Sequence, residues 1–289
     1  MKIIRAGIAY TVLTLPCYAL TLYGAKPDQS TWKLSQSTPL ECSLVHSIPY
    51  FGQASFNAQA SKKINLNFML NMNFATGRTE NVSLIAMPAP WMPGSGANQI
   101  AQIKFYQQFE GNVTGQDAWD MLSQLAQGYF PTFSYQSWRT KNKLIQVSLS
   151  PVAFKAPFDE FRRCVAKLFP FSFEDIAFTT LQYNEKGELL NESSKQKLAQ
   201  ISDYLKHNPH IEQVVIASYT DSRGTQQENL AQAKARGEKL EQYFISLGLA
   251  KERIELKAYG EKNQIAVNDT IKGRGQNRRV VITLARDVF

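Results

Sequence analysis

Asp221 and Arg236 stand fifteen residues apart, the first in the run Tyr219-Thr220-Asp221-Ser222-Arg223-Gly224-Thr225 and the second on the helix expected to follow it. A carboxylate accepts hydrogen bonds from an ammonium, and a planar guanidinium grips a carboxylate through two parallel hydrogen bonds, which a lysine cannot do. Each residue also has a plainer reading, Asp221 as a cap of the helix or its turn and Arg236 as an ordinary surface side chain. The pair has to be weighed with the residues around it.

Other chemistry finds little support. The three histidines are His46, His207 and His210, the last two flanking Pro209; a metal site there would want more ligands, and exposed turn histidines are the better reading. No Gly-x-Ser-x-Gly elbow, phosphate loop or dinucleotide fingerprint occurs, and Gly273-Arg274-Gly275 lacks the strand-turn-helix context such motifs need. Carboxylates are not paired for acid/base work on a glycan, and Trp91, Trp119 and Trp138 are expected in the core. The expectation is a protein with no enzymatic activity, no cofactor and no metal.

The net charge of +8 is uneven: residues 1–170 hold 15 Lys/Arg against 8 Asp/Glu, and residues 171–289 hold 17 against 16. No run of Lys/Arg exceeds two, so the phosphate-tracking surface of a nucleic-acid binder is not visible. Lys2 and Arg5, an apolar stretch over residues 6–15, and Pro16-Cys17-Tyr18-Ala19 read as a secretory signal over residues 1–19. The apolar part is about half of the roughly 20 residues a spanning helix needs. Thr14-Leu15-Pro16 before Cys17 makes a poor acylation box. Export would place the remaining Cys42 and Cys164 in an oxidising compartment, where a disulfide is expected; two separate buried thiols are the alternative.

The elements that must position these residues fall into two groups. Residues 64–74 alternate apolar and polar side chains and read as a strand; Thr76-Gly77 then turns the chain, and Val82, Leu84 and Ala86 resume the alternation, which predicts a hairpin. Further strands are expected over residues 40–48, 103–109 and 144–149, a proline-rich loop around Trp91, and an amphipathic helix over 117–127. Residues 20–165 are thus predicted to be a mostly β domain with one or two helices, a sandwich or partial barrel in preference to an outer-membrane barrel. After Phe171, Ser193 or Ser194 can cap a helix ending at His207, residues 214–217 form a short strand, a helix runs over 226–247 to Gly248, and strands follow at 254–259 and 280–284. The order is β-α-β-α-β-β, a sheet with helices on one face, and the fold class is α+β.

The run at 219–225 and Arg236, with Ala258-Tyr259-Gly260-Glu261, Asn268-Asp269-Thr270 and Gly273-Arg274-Gly275-Gln276-Asn277-Arg278-Arg279-Val280, resemble the OmpA-like peptidoglycan-binding domain over residues 171–289. That resemblance implies a ligand: the diaminopimelate of Gram-negative stem peptides, whose far end carries an ammonium and a carboxylate on one carbon. It implies Asp221 for the ammonium and Arg236 for the carboxylate, with groups near Thr220, Asn277 and Arg278 completing the site. Gln232, Ala233, Gly237, Lys272 and the lack of a proline after Gly260-Glu261 depart from the family pattern. Gly237 inside a helix costs about 1 kcal/mol relative to alanine.

In the first domain, Thr38-Pro39-Leu40-Glu41-Cys42, Ser61-Lys62-Lys63-Ile64-Asn65-Leu66, Pro88-Ala89-Pro90-Trp91 and Pro131-Thr132-Phe133-Ser134-Tyr135 make the chain similar to the T-ring proteins of sodium-driven polar flagellar motors. This implies a periplasmic protein whose first domain docks on the flagellar basal body with the companion protein MotX, while the second holds the assembly to peptidoglycan beside the sodium-driven stator complex. The rivals are a general wall tether without a motor role, a wall-cleaving enzyme, and a nucleic-acid binder, the last opposed by export.

Overall fold

The computed structural model describes residues 19–63, 65–74, 77–107, 110–140, 142–184, 189–208 and 211–286. The expected export signal, except Ala19, lies outside the described residues, as do Thr76 and His210. The chain divides into two compact units, the first within Met1–Ser37, Cys42–Ala58 and Asn65–Ala166, the second within Thr38–Glu41, Gln59–Ile64 and Lys167–Phe289.

Among the described residues the first unit holds ten strands and two helices in the order β1 (Ala19–Tyr23), β2 (Trp32–Ser37), β3 (Glu41–Ile48), β4 (Gly52–Gln59), β5 (Leu66–Met72), β6 (Glu80–Met87), β7 (Asn98–Phe105), β8 (Gly111–Thr114), α1 (Gln116–Ala126), β9 (Phe130–Gln136), β10 (Lys143–Ser148) and α2 (Lys155–Val165). They form two five-stranded sheets, ordered β1-β10-β9-β6-β7 and β2-β3-β4-β5-β8, rather than one closed barrel. On β5, Leu66, Phe68 and Leu70 are fully buried while Asn67, Met69 and Asn71 are half-buried, the period of two of a strand with one face on a core. Phe68 stacks on Phe133 of β9 at 5.4 Å, and Phe105 of β7 lies 5.8 Å from Phe133. The two sheets therefore share one aromatic core. Among the described residues no helix is long and apolar enough to cross a membrane.

The expected hairpin is a correction. β5 pairs with β4 and β8, whereas β6 pairs with β7 and β9 in the other sheet. Alternation records which face of a strand is buried and carries no information about its neighbour, so two strands facing the same core from opposite sheets read like a hairpin. Trp91 and Trp138, expected in the core, are 60% and 39% exposed. The amphipathic helix is present as α1, burying Ala118, Met121, Leu122 and Leu125.

Cys42 on β3 and Cys164 on α2 are disulfide-bonded, with Cα atoms 6.0 Å apart and 122 residues between them in sequence. The same unit holds a buried polar knot. His46 Nδ1 lies 2.8 Å from Thr31 O, the Ser150 amide donates to His46 Nε2 at 3.5 Å, and the imidazole stacks on Trp32 at 4.4 Å. The arrangement suits a neutral ring with its proton on Nδ1. Burial lowers the His46 pKa against the opposing Thr31 carbonyl.

The second unit contains α3 (Phe173–Ile176), β11 (Phe178–Gln182), α4 (Glu192–His207), β12 (Ile211–Tyr219), α5 (Gln226–Ser246), β13 (Ile254–Gly260), α6 (Ile271–Asn277) and β14 (Arg279–Arg286). Its sheet runs β11-β14-β12-β13, with β12 parallel to β13 and the other pairs antiparallel. In register across it, Val214, Ile216 and Ser218 oppose Leu284, Ile282 and Val280. All six are buried, and all but Ser218 join Ile201 and Leu205 of α4 and Leu240 and Phe244 of α5 in one core cluster. Val215, Ala217, Val281 and Thr283 between them are more exposed.

Asn191, not Ser193 or Ser194, caps α4, accepting from the Ser194 amide at 2.9 Å. The Ser194 hydroxyl is instead used by the Gln182 amide at 2.7 Å. The stretches Thr38–Glu41 and Gln59–Ile64 belong to this unit: Leu40 packs against its core, Pro39 O accepts from the Phe169 amide at 2.9 Å, and Lys62 pairs with Asp175.

Candidate functional site

One end of the second unit's sheet gathers charged residues. β12 shifts register against β13 between Ser218 and Tyr219, and the Thr220 amide donates to Gly260 O at 2.7 Å. Gly260 has φ 63°, a backbone that side-chain-bearing residues rarely adopt. Asp221 follows in the turn. Its Oδ1 accepts from the Arg223 amide at 3.1 Å and its Oδ2 from Arg278 Nη1 at 2.7 Å. The cap of α5 falls elsewhere, to a reciprocal box in which the Thr225 amide donates to Glu228 Oε2 at 2.7 Å and the Glu228 amide to Thr225 Oγ1 at 3.3 Å. Asp221 therefore serves the turn without closing the helix end.

Arg236 comes from α5 and is 5% exposed. Its guanidinium lies over the Tyr183 ring at 4.3 Å and its Nη1 donates weakly to Tyr219 O at 3.4 Å. Burial lowers its pKa, Tyr183 opposes this, Arg278 adds to it and Asp221 opposes it. The guanidinium stays charged at any physiological pH. Two guanidiniums thus share the neighbourhood of one carboxylate, and Arg278 rather than Arg236 makes the 2.7 Å contact with it.

Arg278 is held by α6, a helix missing from the sequence expectation. Thr270 caps it, accepting from the Gly273 amide at 3.0 Å. A Cβ on Gly273 would stand 1.9 Å from Val267 O, so only glycine lets the helix approach the preceding loop. Asn277 is fully buried; its Oδ1 accepts from the amides of Ile265 and Ala266, and its Nδ2 donates to Ala266 O and Asn268 Oδ1. That uses every hydrogen-bonding position of the amide, so Asn277 holds the loop in place. Asn268 Oδ1 also accepts from the Ser222 amide at 3.3 Å, tying the Asp221 turn to this loop.

Two residues of the site escaped the sequence reading. Tyr183, at the end of β11, is the face under Arg236, and Tyr219 is the face under Arg279, whose guanidinium lies 3.9 Å from the ring centroid. Tyr219 adjoins Thr220, but Tyr183 lies 53 residues from Arg236 and nothing in the sequence joins them. A Cβ on Gly237 would come within 2.1 Å of Leu256 Cδ1, the far end of a side chain that would have to shift to admit it. Beside Tyr183 and Arg278 opens a recess of ≈ 570 Å³, also lined by Gln182, Ile271, Lys272, Gly275 and Gln276. Among the described residues no group of three or more His, Cys, Asp and Glu is placed to hold a metal.

Comparison with known proteins follows the same division. Residues 23–170 match the MotY N-terminal domain and residues 183–278 match the OmpA family. The chain is 48% identical over 286 residues to the sodium-type flagellar protein MotY of Vibrio parahaemolyticus, covering 98% of each. It is 30% identical over 104 residues to a peptidoglycan-associated lipoprotein of Pseudomonas putida, covering 36% of this chain and 61% of that one. The peptidoglycan-associated lipoprotein of Burkholderia pseudomallei matches in structure at 24% identity and a TM-score of 0.33, over 37% of this chain and 89% of that one.

Proposed function

The chain belongs to the MotY family of sodium-type flagellar proteins, and from that premise we propose that it is a non-enzymatic periplasmic anchor that grips peptidoglycan stem peptides and links the T ring of the flagellar basal body to the cell wall. The observation that carries the wall-binding half is the cluster of Asp221, Arg236 and Arg278, each at most 9% exposed and gathered at one end of the sheet. One carboxylate and two guanidiniums suit a zwitterionic diaminopimelate terminus: Asp221 accepts from the ammonium and Arg236 takes the carboxylate. Arg278 holds Asp221 in place, and Asn277 fixes the loop behind it. Asp221 Oδ1 and Oδ2 each have one donor and retain a second lone pair for the ligand.

The motor half rests on similarity along the whole chain, since the wall-protein relatives span only its last third. In this reading the first unit docks on the basal body with MotX, and the assembly steadies the sodium-driven stator units.

The test is co-sedimentation of the full chain with sacculi. Asp221→Ala and Arg236→Ala should each lose about 1–3 kcal/mol of affinity while the circular dichroism spectrum is unchanged; wild-type pelleting by both variants sinks the site. Release of soluble muropeptides during the incubation would sink the non-enzymatic reading. A deletion strain should fail to localise its stators, and normal swimming by that strain would leave a general wall tether in place of a motor part.

A further inference from the structure

A ligand whose ammonium and carboxylate sit on one carbon needs its two receptor groups at a fixed separation, and here they come from different elements. Asp221 lies in the turn after β12, and Arg236 lies on α5. The Asp221 turn is tied to the end of β13 by the Thr220 amide, which donates to Gly260 O at 2.7 Å. A Cβ on Gly260 would stand 3.2 Å from Leu230 N and 3.4 Å from Asn229 C, so that strand end lies directly against the start of α5. A side-chain bond fastens the contact. Asn229 is 3% exposed, and its Nδ2 donates at 2.7 Å to Oε2 of Glu261, the half-buried residue that follows β13. Its Oδ1 lies near the Asp221 turn, where a Cβ on Gly224 would be 3.6 Å away. Asn229 precedes Arg236 by seven residues, about two helical turns, so both project from one face of α5.

We propose that Glu261 is a positioning residue of the wall site: through Asn229 it locks the helix that carries Arg236 to the strand end that holds Asp221, and so sets the separation of the two. Glu261 itself touches no ligand. Its carboxylate makes the bond to Asn229 stronger than one between two neutral groups. A displacement of about 1 Å between the paired groups is enough to spoil a two-ended grip. The proposal rests on the wall-binding reading above and adds selectivity to it. The spacing that Glu261 sets decides whether the site tells diaminopimelate from lysine, which offers the ammonium without the carboxylate.

The experiment is calorimetric titration of the full chain with two stem peptides that differ only in carrying diaminopimelate or lysine, beside a thermal melt of each variant. Wild type should prefer the diaminopimelate stem by about tenfold, the size of one charge-assisted contact. Asn229→Asp sets two carboxylates against each other and should reduce that preference to about twofold or less. Combining it with Glu261→Gln exchanges donor and acceptor, and should restore the preference. Should Asn229→Asp fail to fold, Glu261→Ala removes the acceptor without adding charge and should lower the preference in the same way. A variant that melts earlier yet keeps the wild-type preference, or a double variant that does not regain it, overturns the positioning role and leaves the anchor reading standing. If wild type binds neither stem, or both alike, the assignment of Asp221 and Arg236 falls and takes the proposal with it.

Discussion

Around Phe68 and Phe133 the first unit buries an aromatic and aliphatic core, its buried polar side chains being hydroxyls with His46 and Glu80, and a covalent bridge ties β3 to α2. The second unit has an apolar core of its own, but the end of its sheet buries Asp221, Arg236, Asn277, Arg278 and Arg279. Apolar burial contributes about 25 cal/mol per Å², whereas a buried ion pair contributes little net stability because desolvation offsets its attraction. The difference separates two tasks. The first unit is built to stay folded; the second keeps charges partly dry, where they would act on the proposed ligand more strongly than in water.

That contrast can be broken first at the bridge. Replacing both Cys42 and Cys164 by serine opens a loop of 122 residues, and loop entropy predicts a loss of up to about 4–5 kcal/mol. Urea denaturation should show the first unit's transition moving while folded protein still pellets with sacculi. An unmoved transition would mean that the bridge contributes no stability.

In the second unit, Arg278→Ala should cost about 3 kcal/mol, because Asp221 is left buried with its carboxylate stripped of a cation. The double change Arg278→Met with Asp221→Asn should be less destabilising than that single change, yet should not bind sacculi. Equal destabilisation would refute the view that the cluster is kept for binding.

Much of the second unit was legible because its helices show a long, regular period: α5 begins at Gln226 as expected, and Gly248 with φ 96° follows its end. α6 was not legible, since Ile271-Lys272-Gly273-Arg274-Gly275 has no apolar stripe and two glycines. Its helix exists because Thr270 caps it and Gly273 fits against Val267 O. Gly273→Ala should therefore destabilise the second unit by roughly 1–3 kcal/mol through overpacking, read as a lower melting temperature; tolerance of the methyl would show that the loop yields freely. In the candidate site the individual residues were legible and their pairing was not. The 2.7 Å contact joins Asp221 to Arg278, 57 residues away, a distance that only the β12–β14 register closes. The first unit was legible strand by strand for β3, β5 and β10, but sheet membership was lost because both sheets present the same alternation to one core.

The smallest expected effect concerns pH in the first unit. Burial holds the His46 pKa below its ordinary 6.5, so the unfolded chain takes up the proton first as pH falls. The stabilisation from the neutral ring is complete above 6.5 and is lost as pH drops through the folded-state value. The urea midpoint should fall between pH 7.5 and 5.5 in wild type and fall less in His46→Gln; identical slopes would remove His46 as the cause.

Leu40, half-buried and packed against the second unit's core some 130 residues before that core begins, means that no single scission releases an intact wall-binding module. A gene fragment opening at Lys167 would lack the Pro39 carbonyl for Phe169, the Leu40 side chain and the Lys62 partner of Asp175. Anyone grafting this module onto another scaffold would have to supply a substitute plug for that socket, or would measure wall affinity on a loosened body.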